Sequence, residues 1–194
     1  SGVEDIQINF GEDFNSLKGI TALDNSDGDI TSEIKVDGTV NVNKAGSYKL
    51  IYSVSDQSGN TVTADRVVTV IDNIKPVFSG VSDLPIGLYT DFNVLNGVSA
   101  SDNNDGDLTS KILTDGTVDA QKEGEYTVTY TVSDAAGNTA EVTRIITVQK
   151  IPVSNIIING SSKMKTGKTQ QLTADITPTD ATDQQVTWKS SDES

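Results

Sequence analysis

Histidine and cysteine are both absent from this chain, and with them goes most of the machinery of enzyme sites. No Ser–His or Cys–His nucleophile pair can form, and no imidazole or thiolate can hold a metal. Only carboxylate, lysine and tyrosine chemistry stays open, so the chain is not expected to be an enzyme. Missing cysteine leaves the compartment undecided, because many secreted chains also do without disulfides. Aromatic residues are scarce, at 5% with a single tryptophan, and hydrophobic residues reach only 35%. Such a composition suits small β-modules with thin cores better than one large α/β domain. Basic residues are few: 14 Lys and Arg against 28 Asp and Glu give a formal charge of −14. Nucleic acid and anionic membranes need a basic face, so neither is an expected partner, and divalent cations are the natural counter-charge. No apolar run approaches the roughly 18 residues of a membrane span, so no membrane insertion is expected. No signal peptide is visible, and Ser1-Gly2 reads as a remnant of cloning on a piece of a longer protein.

What the sequence does contain is a repeat. A shift of 78 residues lays Ala22-Leu23-Asp24-Asn25-Ser26-Asp27-Gly28-Asp29-Ile30-Thr31 on Ala100-Ser101-Asp102-Asn103-Asn104-Asp105-Gly106-Asp107-Leu108-Thr109. It then brings Gly46, Tyr48, Tyr52 and Val54-Ser55-Asp56 onto Gly124, Tyr126, Tyr130 and Val132-Ser133-Asp134, and Gly59-Asn60-Thr61 and Arg66 onto Gly137-Asn138-Thr139 and Arg144. From Thr21 to Asp72 roughly half the positions are identical without a gap. Inside each unit the hydrophobic period is two. Tyr48, Leu50, Tyr52 and Val54 alternate with Lys49, Ile51, Ser53 and Ser55, as a half-buried strand requires. Thr61 to Val70, rich in Thr and Val, reads as the returning strand after the turn Asp56–Asn60. Asp37-Gly38 and Asp115-Gly116 carry the signal of two-residue hairpins. Short strands with turn signals every 8–12 residues predict an all-β fold of tandem immunoglobulin-like sandwiches. Tyr48 and Tyr126 stand either at a tyrosine corner or as ordinary core tyrosines.

The pattern Ala-x-Asp-x-x-Asp-Gly-Asp-Ile/Leu-Thr, then Gly-x-Tyr-x-x-x-Tyr-x-Val-Ser-Asp-x-x-Gly-Asn, then Arg-x-x-x-Val, resembles bacterial immunoglobulin-like domains strung in arrays on surface proteins. Such domains are also appended to secreted glycan-active enzymes, proteases and an insecticidal crystal toxin. The resemblance covers about residues 4–149. Val153–Gly160, Thr166-Gly167-Lys168, Gln171–Ala174, Ala181-Thr182 and Val186–Ser191 resemble instead the group 2 bacterial Ig-like domain of intimin and invasin type, with Trp188 implied as a core residue. The expected division is residues 1–72 and 73–150 for two Ig-like modules, with 151–194 as the front part of a third. The resemblance implies a secreted or cell-surface bacterial protein, Gram-positive and monomeric, whose first partners are neighbouring modules of the same polypeptide.

The acidic loops are the one constellation that could carry chemistry. Asp24, Asp27 and Asp29 lie between expected strands B and C, and Asp56 lies between F and G; Asp102, Asp105, Asp107 and Asp134 repeat them. In an Ig-type sandwich the B–C and F–G loops emerge at one end, so these carboxylates are expected to converge. Ca²⁺ takes six to eight hard oxygens from such loops. Solvated turns are the alternative, since Asp, Asn, Ser and Gly are turn formers. The spacing is not an EF-hand, because glycine falls fifth from Asp24 and Lys35 twelfth. Strand topology predicts that the linker Asp72–Pro76 reaches the second module beside its acidic loops, so Asp72 or Asn73 completes that site as linkers do in cadherin-type arrays. Glu4 or Asp5 is the corresponding candidate in the first. A hydrolytic carboxylate pair is disfavoured, since the acids are duplicated and lack aromatic platforms for sugar.

Function follows as a non-catalytic spacer or stalk, stiffened by Ca²⁺ at the junction; a short Pro-ended linker between copies suits a semi-rigid rod. The alternative is an adhesive module that binds a host protein or glycan, which exposed aromatics would favour. A third idea, Lys–Asn isopeptide crosslinking through Lys44 and Lys122, needs a buried apolar setting for those lysines.

Overall fold

A computed structural model of the chain describes residues 1–161, 163, 165 and 167–189. Thr166, Ser190 and Ser191 of the third motif lie outside them. The fold is all-β. The alternation in the first repeat becomes β5 (Gly46–Ser55), which buries Leu50, Tyr52 and Val54 on one face. Its partner is β6 (Thr61–Ile71), in antiparallel register from Gly46↔Val70 to Ser55↔Thr61. On its flanks, β4 (Lys35–Asp37) pairs antiparallel with β5 and β1 (Ile6–Asn9) runs parallel to β6, giving the order β1-β6-β5-β4. A short hairpin, β2 (Leu23–Asp24) with β3 (Gly28–Asp29), forms a separate sheet. Ile8, Ile20, Leu50, Tyr52, Val68 and Val70 make the core, with Phe10, Phe14, Val36 and Val40 packed against it. Each fully buried aliphatic side chain of this kind contributes about 1.5–3 kcal/mol.

The second repeat copies the plan. The strands β8 (Leu84–Gly87), β11 (Leu113–Asp115), β12 (Gly124–Ser133) and β13 (Thr139–Gln149) stand in the order β11-β12-β13-β8. The strands β7 (Val77–Ser79), β9 (Ser99–Asp102) and β10 (Gly106–Asp107) stand in the order β10-β9-β7. Ile86, Val128, Tyr130, Val132, Ile146 and Val148 are buried where the first copy has Ile8, Leu50, Tyr52, Val54, Val68 and Val70. The chain folds into two compact units. One holds Ser1–Val77 with Ala100–Lys111 and Val132–Ala140; the other holds Phe78–Ser99, Ile112–Thr131 and residues from Glu141 onward. The acidic hairpin and turn of the second repeat therefore belong to the same unit as the first repeat.

Two expectations change against the structure, and one open alternative resolves. Asp37-Gly38 and Asp115-Gly116 close no two-residue hairpin: residues 38–45 and 116–123 form longer loops that join β4 and β11 to their antiparallel partners β5 and β12. Those glycines answer a different demand. Gly38 has φ +99°, and a Cβ there would lie 2.5 Å from the Lys49 carbonyl oxygen, so position and conformation both exclude a side chain. Ser1 and Gly2 have their own places in the fold. Ser1-Gly2-Val3 recurs as Ser79-Gly80-Val81, and Gly2 and Gly80 each press against a carbonyl oxygen, of Gly19 and Gly97, at positive φ. Tyr48 and Tyr126 resolve as corner tyrosines, their hydroxyls donating to the Lys44 and Lys122 carbonyls at 2.8 and 2.9 Å. Trp188 is 48% exposed rather than in a core. Among the described residues after 150 the strands are β14 (Asn155–Asn159) and β15 (Thr173–Thr177), one antiparallel pair with no second sheet to bury the ring.

Candidate metal centre

Each acidic loop is a tight hairpin whose aspartates close the turn. Asp24 Oδ1 accepts the backbone N–H groups of Ser26 and Asp27 at 2.7 and 2.9 Å. Asp102 Oδ1 does the same for Asn104 and Asp105 at 2.8 and 3.0 Å. This is the turn chemistry of Asp. The second aspartate reaches across to the other loop: Asp27 Oδ2 accepts Gln57 N–H at 2.8 Å, and Asp105 Oδ2 accepts Ala135 N–H. The expected meeting of the two loops is thus made by Asp27 and Asp105, which spend a carboxylate oxygen on it.

Asp29 and Asp107 turn away. Each is exposed and accepts the backbone N–H of Thr31 or Thr109, and the threonine hydrogen bonds, side chain first, hold both carboxyls below the usual carboxylate range. Asp56 grips Asn60 through its side-chain amide and backbone N–H, which lowers its pKa too. Asp134 holds Asn138 in the same way. Burial works to raise the Asp134 pKa, yet donation from the Asn138 side chain and from the Asn138, Gly137 and Ala136 backbone lowers it overall.

Three of the nine predicted residues converge. Asp72, directly after β6, brings a carboxylate oxygen within 4.8 Å of those of Asp102 and Asp134, the one such acidic group among the described residues. All three are buried, at 5%, 8% and 7% exposure. Asp72 Oδ1 accepts Ile74 N–H at 3.1 Å, and Asn138 Nδ2 donates to the Asp72 carbonyl at 3.2 Å. Asp72 Oδ2 and Asp102 Oδ2, however, have no hydrogen-bond partner. Turn chemistry accounts for one oxygen of each residue and leaves the other buried and unsatisfied. Desolvated, unpaired and mutually repelling oxygens are costly, and a hard divalent cation relieves all three costs at once. The donor set, three carboxylates with backbone carbonyls nearby, is of the kind Ca²⁺ takes.

The first repeat assembles no such trio among the described residues. Asp5 Oδ1 accepts Val67 N–H and the Glu4 carbonyl accepts Arg66 Nε; neither carboxylate joins an acidic group of this kind among the described residues. Sequence reading overlooked Asn104, whose Oδ1 accepts Ala45 N–H at 3.0 Å and ties the second acidic hairpin to the turn before β5. Its signal was the departure from the repeat, asparagine where the first copy has Ser26. Lys44 and Lys122 are exposed, which removes the setting an isopeptide bond requires.

Comparison with known proteins places this site in a family context. Residues 1–70 and 77–148 match the family described as bacterial surface protein, Ig-like domain. Residues 152–194 match the bacterial Ig-like domain (group 2). The chain belongs to the bacterial surface Ig-like family. It is 33% identical over 173 residues to an uncharacterized 81.3 kDa protein of Acholeplasma phage L2, covering 84% of this chain and 23% of that protein. It is 32% identical over 146 residues to the pesticidal crystal protein Cry22Aa of Bacillus thuringiensis, covering 71% and 20%. The chain thus spans about a fifth of the length of these curated relatives. Among solved structures it is similar to the CBM51-2 and INT domains of Clostridium perfringens ZmpB in complex with GlcNAc, at 27% identity over 45% of this chain and 21% of that one, with a TM-score of 0.36. It is similar also to human CDH23 EC21-23, at 17% identity over 67% and 54%, with a TM-score of 0.34.

Proposed function

We propose that the chain is a non-catalytic spacer of a larger bacterial surface or secreted protein, in which Ca²⁺ held by Asp72, Asp102 and Asp134 locks the linker to the acidic loops of the second module. The carrying observation is the pair of buried carboxylate oxygens without partners, Asp72 Oδ2 and Asp102 Oδ2, beside a third buried carboxylate. An ion there bonds to the linker and to both loops, and so restricts the joint that Asp72–Pro76 forms. Modules 1–72 and 73–150 are then the repeating segments of the spacer, and 151 onward begins a segment of a second Ig-like type. The reading is tested by hydrogen–deuterium exchange across residues 72–76. Added Ca²⁺ should slow exchange there and in the Asp102–Asp107 hairpin, and EDTA should restore it; exchange indifferent to both would remove the ion from the account.

A second reading, direct adhesion to a glycan or protein, has one observation in its favour. Tyr89 is 68% exposed at φ +67°, where the repeat places Gly11, and it borders an open cleft of about 440 Å³ with Phe92, Asp91 and Gln121. A bulky residue held in the left-handed region is a mark of functional sites. Binding to a glycan array that Tyr89→Gly abolishes would favour this reading.

A further inference from the structure

Up to the end of the long returning strand the two repeats close alike. Phe10 N–H donates to the Ile71 carbonyl at 2.9 Å, and Leu88 N–H donates to the Gln149 carbonyl at 2.8 Å. Beyond that clamp they part. The 78-residue shift lays Lys150 on Asp72, Ile151 on Asn73 and, in the strand they meet, Gly87 on Asn9. In the first repeat the joint is polar: Asn73 Nδ2 donates to Asn9 Oδ1 at 3.0 Å, while Asp72 turns to Asp102 and Asp134. In the second, the carboxylate gives way to Lys150, whose Nζ lies 3.5 Å from Glu123 Oε2, and the amide pair is gone.

Gly87 shows what replaces it. Fifteen of the sixteen glycines have positive φ, and Gly87 is the exception, so no left-handed turn calls for glycine there. Space does. A Cβ on Gly87 would collide with Ile151 Cδ1 and lie 3.0 Å from its Cγ1. Gly87 is buried and Ile151 half-buried. Thr182 holds Ile151 from its other side: Ile151 N–H donates to Thr182 Oγ1 at 2.8 Å, and Thr182 N–H donates to the Ile151 carbonyl at 2.9 Å. One residue thus packs on β8 of the second module and hydrogen-bonds to the group 2 segment that follows.

We propose that the end of β8 is a docking surface for the segment that enters a group 2 module, and that Ile151, seated in the space Gly87 leaves, closes this joint without an ion. The surface fits an occupant that begins with a cation and an aliphatic side chain, Lys150-Ile151, where the linker of residues 72–76 begins with an acid and an amide. A lysine in place of a ligand carboxylate repels a divalent cation, and the one acidic trio among the described residues is that of Asp72. Chelation then loosens the joint at residues 72–76 and leaves the joint at residues 150–154 closed. The first half of that contrast rests on the ion reading above; the Ile151 joint stands without it.

Hydrogen–deuterium exchange on the full chain, in Ca²⁺ and in EDTA, tests the proposal. The amides of Ile151 and Thr182 should exchange at least about tenfold slower than in an unstructured peptide, equally in both solutions. Ile151→Asn places the first repeat's residue at a position outside every strand, and Gly87→Ala puts a methyl group where Ile151 sits. Each should speed exchange at Thr182 at least about tenfold. The β12 amides of Val128 and Tyr130, which report folding of the second module, should stay as in the parent; should Gly87→Ala unfold β12, Ile151→Asn alone decides. Thr182 unprotected in the parent, or protected alike in parent and Ile151→Asn, would overturn the proposal, as would protection there that EDTA removes. Residues 72–76 indifferent to Ca²⁺ while Ile151→Asn releases Thr182 would end the ion reading and leave this joint standing. A Ca²⁺ response at residues 72–76 with Thr182 unprotected would do the reverse.

Discussion

Asp102→Asn separates the structural and ionic roles of one residue, because its two oxygens have different jobs. Oδ1 closes the hairpin by accepting Asn104 and Asp105 N–H, and asparagine keeps that acceptor. Oδ2 is buried without a partner, and asparagine replaces it with an amide that can donate to the neighbouring carboxylates. At 4.8 Å and an effective dielectric near 20, each carboxylate pair repels by about 3.5 kcal/mol. The substitution removes two such pairs, and relaxation and water penetration leave a net gain on the order of 1–2 kcal/mol. In EDTA the variant should therefore be at least as stable as the parent. In Ca²⁺ at a hundred times the dissociation constant the parent gains about 2.7 kcal/mol, which for a module of this size is about 10 °C or more in melting temperature. The variant, short of a ligand charge, should gain far less. Thermal melts followed by circular dichroism in EDTA and in Ca²⁺ should show the order of stability inverting. A variant less stable than the parent by the same amount in both solutions would refute the reasoning and leave Asp102 a turn residue only.

Three further outcomes follow from the same structure. Tyr130→Phe deletes the hydroxyl that donates to the Val94 carbonyl and should cost about 1 kcal/mol or somewhat more, since the carbonyl loses its partner in a part-buried setting; urea denaturation measures it. Leu50→Ala empties a site that is 1% exposed between β5 and the facing core and should cost about 2–5 kcal/mol by the same assay. Asp56 has a folded pKa below its ordinary value because it accepts Asn60. Its contribution is therefore fully present above the unfolded pKa and lost as pH falls through the lowered folded one. The stability difference between parent and Asp56→Asn should shrink from about pH 6 to about pH 3, and a difference constant over that window would count against the Asp56–Asn60 contact.

The strands of each repeat were legible because one face is buried and the period is two. The run from Tyr48 to Val54 could face the core in only one register, and β5 obeys it. Turn residues were less readable. Gly38 looked like a hairpin glycine, but its φ and its approach to Lys49 are set by a strand distant in sequence. The acidic site was legible as a composition and a topology, not as a geometry. Eight aspartates share the repeated motif and Asp72 comes from the linker, and which oxygen each one spends on a backbone N–H emerges only when the chain folds. Asp27 and Asp105 are consumed in joining loops, Asp29 and Asp107 in binding threonine, and Asp72, Asp102 and Asp134 keep the site between them. Trp188 went astray for a simpler reason: its expected burial was carried over from a whole sandwich, while the described residues around it form a single strand pair.

Calorimetric titration of Ca²⁺ into the full chain tests the central claim most directly. The account predicts saturable binding that Asp72→Asn and Asp102→Asn each weaken at least about tenfold and that Asp29→Asn leaves unchanged, since Asp29 stands outside the trio. Absence of binding heat, with a melting temperature equal in EDTA and Ca²⁺, would contradict it.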